Sequence, residues 1–397
     1  MRISTAGIHR EAVTRLLDQQ AQLSRTQNQI STGRRIETPA DDPIAAVHVL
    51  ELERTSSELA RFDRNAQTVV ARLNVEEQAL ADTGNLLQRV RELAIQANNA
   101  PLTLADREAI AVELTARAQE LLDIANRRDG AGEFLFAGFA KQTQPFVGSL
   151  NAVTYAGDQG VRQVQVSASQ RIADGHTGFD VFANIKQGNG TFDTNANAAN
   201  TGAGIIDVGS IFNAAAWVPD AYTLTFTTAT TWQVTNSAAA VVAGGAYTSG
   251  AAIQFNGAQV AVSGVPASGD TFTIAASQKE SVFTTLNDLI VAVRQGADTP
   301  AARAQLATRV GGTLAQLDQG EQQLLNVRAD IGSRLSALDQ TQAAHANLSV
   351  ELDRSLSELR DLDYAEAISR LDRQIVGLEA AQKSYAAISR LSLFDYL

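Results

Sequence analysis

Ile368-Ser-Arg-Leu-Asp-Arg-Gln-Ile-Val-Gly-Leu-Glu-Ala-Ala-Gln-Lys-Ser-Tyr385 places seam residues at Ile368, Leu371, Ile375, Leu378, Gln382 and Tyr385, with Ile388 and Leu391 following. Steps of three and four keep one narrow face of a helix in register. The amino end carries the same spacing at Val13, Leu16, Gln20, Leu23, Gln27 and Ile30. Glutamines stand in both seams where a dry core takes leucine. Two helices with stripes this thin bury too little apolar area to offset their chain entropy, so each stripe predicts a partner helix and a chain that assembles.

Outward from these ends the composition changes sharply near Pro145 and again near Glu280. The 136 residues between those points hold 12 of the charged residues and 16 of the 28 glycines, and the flanks hold the other 63 charged residues. The flanks read as helical and the middle as sheet. Prolines agree, since none lies between Pro43 and Pro101 and none follows Pro300. The expected fold class is therefore α+β: an elongated antiparallel helical bundle or coiled coil built from both chain ends, with an inserted β-rich domain. Three sections are expected. Residues 1–40 with 361–397 form a terminal coiled-coil core, 41–144 with 281–360 a helical rod, and 145–280 the inserted outer domain.

Local signals place the long helices. Pro39, Asp41, Asp42 and Pro43 form a cap and bend, with aspartate as N-cap and Pro43 at the first helical position of a helix running to about Asn98. Thr103 and Asp106 have the spacing of a capping box that opens a second helix to Gly130. Thr299-Pro300 opens a third helix of about sixty residues, a rod on the order of 90 Å at roughly 1.5 Å per residue. Asp361-Leu362-Asp363-Tyr364 interrupts it, and Asp363 with Glu366 caps the last helix.

In the insert, apolar and polar residues alternate at Tyr222, Leu224 and Phe226, at Trp232 and Val234, and at Phe272 and Ile274. Asn256-Gly257 between two such runs predicts a hairpin with a type I′ turn. Gly157-Asp-Gln-Gly160 reads as a second hairpin turn, and the Asn-, Ala- and Thr-rich stretch from Gly188 to Gly204 as a loop.

Charge and composition exclude several functions. With 32 Lys plus Arg against 43 Asp plus Glu, the net charge of −11 leaves no broad basic surface for nucleic acid. There is no cysteine, hence no disulfide, thiolate metal site or cysteine nucleophile. No apolar run has the length of a secretory signal or a membrane span. His9, His48, His176 and His345 lie far apart, and no metal-ligand or cofactor motif is expected. His345 reads as a buried, hydrogen-bonded core histidine. Asp193, Asn195 and Asn197 match the start of a calcium loop, but Ala198 replaces the turning glycine and Gly204 the closing glutamate. Asp174 and His176 lack a nucleophile motif, and eight scattered acidic residues from Asp158 to Glu280 offer no catalytic carboxylate pair. No enzymatic activity is expected; an enzyme or adhesive module on the insert is the alternative from another class.

Several runs resemble the ends of bacterial flagellins: Ile30-Ser-Thr-Gly33-Arg-Arg-Ile36 with Asp41-Asp42, Leu87-Gln-Arg-Val-Arg-Glu-Leu-Ala94, and Asp361-Leu-Asp-Tyr-Ala365. Thr38-Pro39-Ala-Asp-Asp-Pro43, Phe134-Leu-Phe-Ala-Gly138, Thr154-Tyr-Ala-Gly-Asp158 and Ser392-Leu-Phe-Asp-Tyr-Leu397 resemble the hook-associated protein 3 branch of that family. The resemblance implies a structural subunit of the bacterial flagellum that joins hook to filament, with filament flagellin as the alternative. It also implies partners: other copies in a ring or helical layer, hook-associated protein 1 on the hook side, flagellin on the filament side, and an export chaperone before secretion. Export through the flagellar type III apparatus, without a cleavable signal, is implied in the same way. The expected assembly contacts are Val13, Leu16, Leu23, Ile30, Ile368, Leu371, Ile375, Leu378, Tyr385, Ile388 and Leu391.

Overall fold

The computed structural model describes residues 5–99, 101–295 and 298–390. The helices are α1 (Thr5–Thr32), α2 (Pro43–Ala97), α3 (Leu104–Ala125), α4 (Val282–Arg294), α5 (Pro300–Arg360) and α6 (Tyr364–Arg390). Five of them were legible from caps and breaks. Thr103 and Asp106 make the reciprocal capping box that starts α3. The missing one is α4, which begins at an Ser281 N-cap and buries Val282, Phe283, Leu286, Leu289, Ile290 and Val293. Its first residues, Val-Phe-Thr-Thr, carry no helical preference; packing overrides it.

The chain forms two compact units, residues 1–64 with 340–397 and residues 65–339. Both boundaries fall within helices. The helices themselves break after Thr32 and after Arg360.

In the second unit one large apolar core joins Leu73, Leu80, Leu87 and Leu93 of α2 to Leu114 and Leu121 of α3, Leu289 of α4, and Leu317 and Ile331 of α5. Short strand pairs lean on this core. They are β1 (Phe146–Val147) with β2 (Thr154–Tyr155), β3 (Gln163–Gln165) with β4 (Arg171–Ala173), and β5 (Ile185–Lys186) with a strand at Lys279–Glu280. Phe146, Val166, Ile172, Phe182 and Ile185 bury their side chains among the helices. Gly157–Gly160 is therefore not a hairpin turn: the strands before and after it pair elsewhere, and Tyr155 Oη donates within the loop to the Asp158 carbonyl at 2.7 Å.

A separate core begins at Phe192. It lies within a five-stranded antiparallel sheet of β6 (Phe192–Ala196), β9 (Ala221–Thr228), β10 (Thr231–Thr235), β11 (Val241–Ala246) and β14 (Thr271–Ala276), and a second sheet of β7 (Ala203–Ile206), β8 (Ser210–Ile211), β12 (Ala252–Phe255) and β13 (Ala258–Val265). Tyr222, Leu224, Phe226, Val234, Phe272 and Ile274 are buried, as alternation requires. Asn256 (φ 41°) and Gly257 (φ 81°) form the turn between β12 and β13, with Ile253 opposite Val260. The stretch 188–204 is not one continuous loop. It supplies β6 and the first half of β7, with Phe192 fully buried, and its polar residues pair with β14 and make the Asn200 bonds to Thr271.

Candidate assembly site

The terminal helices and the turns that feed them belong to the first unit. Pro39 occupies the second position of a turn closed by Asp41 N–H on the Thr38 carbonyl at 3.0 Å. Asp41 and Asp42 divide two tasks expected of both. Asp41 accepts from the Thr38 amide at 2.8 Å, the Thr38 hydroxyl at 3.0 Å and the Glu37 amide at 3.2 Å, so it fixes the turn and caps no helix. The Thr38 amide bond, with the others, holds its carboxyl below the usual range. Asp42 is the N-cap, accepting from Ala45 N–H at 3.0 Å beside Pro43 at the first helical position.

Opposite this turn, the break between α5 and α6 is stapled to the break after α1. Arg35 N–H donates to the Arg360 carbonyl at 2.7 Å and Leu362 N–H to the Gly33 carbonyl at 2.9 Å. The Arg35 guanidinium adds a 2.6 Å bond to the Leu359 carbonyl. Gly33 has φ +71°, and a Cβ there would stand 2.9 Å from Tyr364 Oη, so both conformation and space call for glycine. Asp363 caps α6 through the Ala365 and Glu366 amides at 2.9 and 3.1 Å.

From this staple α1 and α6 run antiparallel, and His9 meets Tyr385 edge to face at 5.8 Å. Their shared seam differs from the predicted one. The partly or fully buried positions include His9, Ala12, Leu16, Leu23, Thr26, Gln29 and Ile30 on α1, and Ala367, Arg370, Leu371, Gln374, Ile375, Leu378, Ala381 and Tyr385 on α6. Gln20, Gln27 and Gln382 are exposed rather than seam residues, because Thr26 and Gln374 rotate the contact line by one position. Among the described residues, Thr26 is the sole fully buried side chain of α1 and Ala367 of α6. Val13 (41%), Leu17 (60%), Ile368 (48%) and Val376 (66%) remain open to solvent, and Ile375 is half-buried. The pair's own contact thus mixes large apolar residues with small and polar ones, and leaves Val13, Leu17, Ile368 and Val376 outside it. Leu391 and the side chain of Ile388 lie outside the described residues.

The residues with catalytic potential are occupied elsewhere. His176 Nδ1 is 2.8 Å from Glu76 and Nε2 is 2.9 Å from Asp330. Asp174 is paired with Arg162 and Arg72, and Asp180 accepts from the Thr177 hydroxyl at 2.7 Å. His345 is buried and stacks on Phe62, but it is not the hydrogen-bonded histidine expected, since its Nδ1 has no partner. Asp193 and Asn195 form no calcium loop; they sit in β6 and bond to each other at 2.6 Å.

Burial alone would lower the His176 pKa, but the bonds and charge of Glu76 and the bond of Asp330 outweigh it, with Arg334 opposing, and raise it above 6.5. A raised histidine pKa stabilises the fold fully below the unfolded value and ceases to do so as pH rises through the folded one. The Tm of the second unit should therefore fall as pH rises above about 6.5, the ordinary histidine value. In His176→Gln that slope should flatten, and melts from pH 5.5 to 8.5 in both proteins check it.

Residues 3–141 match the bacterial flagellin N-terminal helical region and residues 314–397 the C-terminal helical region. Flagellar hook-associated protein 3 of Escherichia coli (strain K12) is 23% identical over 396 residues, covering 100% of this chain and 99% of the relative. The crystal structure of Xanthomonas campestris FlgL in space group C2 superimposes with a TM-score of 0.73 at 36% identity, covering 77% of this chain and 99% of that one. Flagellar hook associated protein-3 of Legionella pneumophila gives 0.75 at 32%, covering 78% and 98%. Near-complete coverage of relatives above 30% identity, together with flagellin regions at both ends, establishes that the chain belongs to the hook-associated protein 3 (FlgL) family of flagellin-like proteins.

Proposed function

We propose that this chain is a structural subunit of the bacterial flagellum that joins hook to filament and so serves flagellum-dependent motility. The observation that carries the mechanism is the open face of α1 and α6, with one fully buried side chain on each among the described residues. Covering Val13, Leu17, Ile368 and Val376 with neighbouring helices gains about 25 cal/mol per Å² of apolar surface, which offsets the ordering of the pair. Assembly therefore completes a fold that the monomer holds loosely. The neighbours are other copies in a ring or helical layer, hook-associated protein 1 toward the hook and flagellin toward the filament. The three sequence sections serve as assembly core, rod and outer domain. The chain leaves the cell through the flagellar export apparatus, escorted first by an export chaperone, and it works outside as a non-enzymatic part.

Amide exchange on the monomer tests the mechanism. Residues 5–32 and 364–390 should exchange orders of magnitude faster than α2 and α5 around Leu80 and Leu317, where opening approaches the global free energy. Equal protection in a verified monomer would contradict it. Electron microscopy of cells lacking the chain tests the role: hooks without filaments, with flagellin shed to the medium, is the outcome required. A filament subunit is the second reading, favoured if the purified chain alone grows long filaments.

A further inference from the structure

The loop between β8 and β9 puts apolar residues into solvent on a rigid base. Phe212 (51%) and Val218 (52%) are exposed, and so are Ala214, Ala215, Ala216 and Pro219 between and beside them. The loop is nevertheless fixed. Phe212 N–H and Asn213 N–H both donate to the Gly257 carbonyl, at 3.0 and 3.2 Å, and Tyr222 Oη donates to the Val218 carbonyl at 2.7 Å. Trp217 packs against Phe192 and Tyr222, with ring centroids 5.5 and 6.0 Å away. An apolar knob held in one conformation before it meets a partner loses little entropy on docking. One charge goes with it, since Asp220 is the sole charged residue between Asp207 and Asp270. The hydrogen bonds it accepts from Ser237 and from the Ala221 amide hold its carboxyl below the usual range, so the knob is negative at neutral pH.

The same sheet ends on a surface of opposite character. β13 is paired at Ala258 with Ile211, next to the knob, and at Val265 with Ala203, so its two ends lie roughly 23 Å apart at about 3.3 Å per residue. At the far end a groove of about 350 Å³ opens between β7 and the start of α5. Ile205, Ala304, Leu306 and Ala307 give it apolar walls, and no acid lines it. Its charges are Arg107 of α3 and Arg303 of α5, and neither forms an ion pair among the described residues. Knob and groove at opposite ends of one strand do not meet within a chain. Between chains they do, and a contact of two unlike surfaces propagates head to tail.

We propose that the Phe212–Asp220 loop of one copy seats in the groove of the next, with Phe212 and Val218 on its apolar walls and Asp220 toward Arg303, so that the inserts of neighbouring copies lock head to tail. The occupant is a second copy because charge and shape match within one sequence. A net charge of −11 sets most surfaces of two copies against each other, whereas here the single acid of the knob meets two guanidiniums that have no ion pair of their own. Such a contact closes into a ring or climbs as a helical layer. The inference rests on the reading that copies stand side by side, and not on the junction role.

Disulfide trapping on the full chain tests this, since the protein has no native cysteine to interfere. In the double variant Val218→Cys/Ala307→Cys the two sulfurs of one chain stand at opposite ends of β13, and a disulfide needs Cα atoms within about 7 Å. Mild oxidation by copper phenanthroline should therefore give a ladder of covalent dimers, trimers and longer species, on the purified protein and on flagella sheared from cells that carry the variant. Moving the second cysteine to Val112, exposed on α3 outside the groove, should slow the ladder severalfold. Adding Arg303→Glu should slow it likewise, and adding Asp220→Arg to that should restore much of it, a rescue that loss of folding does not produce. Absence of species above dimer in both preparations, equal rates from the Val112 control, or no rescue by the charge swap would overturn the knob and groove. Hooks that keep their filaments without the chain would remove the junction role instead, and leave the ladder on the purified protein as it is.

Discussion

Ile368→Asp is expected to leave the monomer intact and abolish its incorporation into flagella. Ile368 is 48% exposed on α6 and lies beside, not in, the seam with α1. A surface substitution of this kind changes monomer stability by no more than about 0.5 kcal/mol. Once a neighbouring helix covers the position, an aspartate there is a buried charge without a partner, costing several kcal/mol. Two to three kcal/mol per subunit is a loss on the order of 10²-fold in each docking step, and a ring multiplies it. Leu371→Asp separates the two roles of α6. Leu371 is a seam residue against α1, so its replacement should loosen the monomer as well as the assembly. Sedimentation of mixtures with hook-associated protein 1, and swimming of cells carrying each variant, measure the difference. Normal motility with Ile368→Asp would show that this face remains in water.

Much of this arrangement was legible because the signals are local. Asp42-Pro43, Thr103 with Asp106, Asp363 with Glu366, and Asn256-Gly257 each fix a few dihedral angles through residues within four positions, and the structure uses each of them as read. The apolar stripes of α1 and α6 were legible as stripes. Their rotation was not, because a choice between Gln27 and Thr26 depends on which side of a thin stripe the partner helix takes. What the sequence hid is non-local. Phe192 reads as one aromatic in a polar loop, and only the pairing of β6 with β14 and its packing in the insert's core make it core. Phe146 and Phe182 stand in the charge-poor segment yet pack edge to face at 5.7 Å within the helical core. Composition marks where the charge density changes; it does not say which core an aromatic joins. The ion-pair network of the second unit was equally hidden, since Arg72 finds partners 57 and 102 residues away and Glu76 finds His176 at a separation of 100.

That network carries the largest expected loss of stability. The Arg72 side chain is 8% exposed and bridges Asp129 at 2.6 Å, Glu133 at 3.5 Å and Asp174 at 3.7 Å, while donating to the Phe134 and Leu135 carbonyls at 3.2 Å each. Asp174 is itself 4% exposed. Arg72→Met keeps much of the volume but removes the charge beside Asp129 and the buried Asp174, leaving Asp174 with Arg162 alone, and it takes away the guanidinium donors of two carbonyls. Breaking one side of a buried pair in this way costs about 3–5 kcal/mol, because the remaining charge stays desolvated. At roughly 2–4 °C per kcal/mol, the transition of residues 65–339 should move down by about 6–15 °C. Arg72→Lys retains the charge but not the planar fork that reaches several acceptors at once, so it should lose less than methionine and more than wild type. Denaturant melts of the three proteins give the comparison, and a methionine variant within about 1 kcal/mol of wild type would mean that the carboxylates find water or other cations. The outcome also separates folding from assembly. Arg72 variants should weaken the second unit while exchange in α1 and α6 stays unchanged, and Ile368 variants should do the reverse at the level of docking. If Arg72→Met instead altered exchange along α6, the two units would be coupled, and the loose ends could no longer be assigned to their own thin seam.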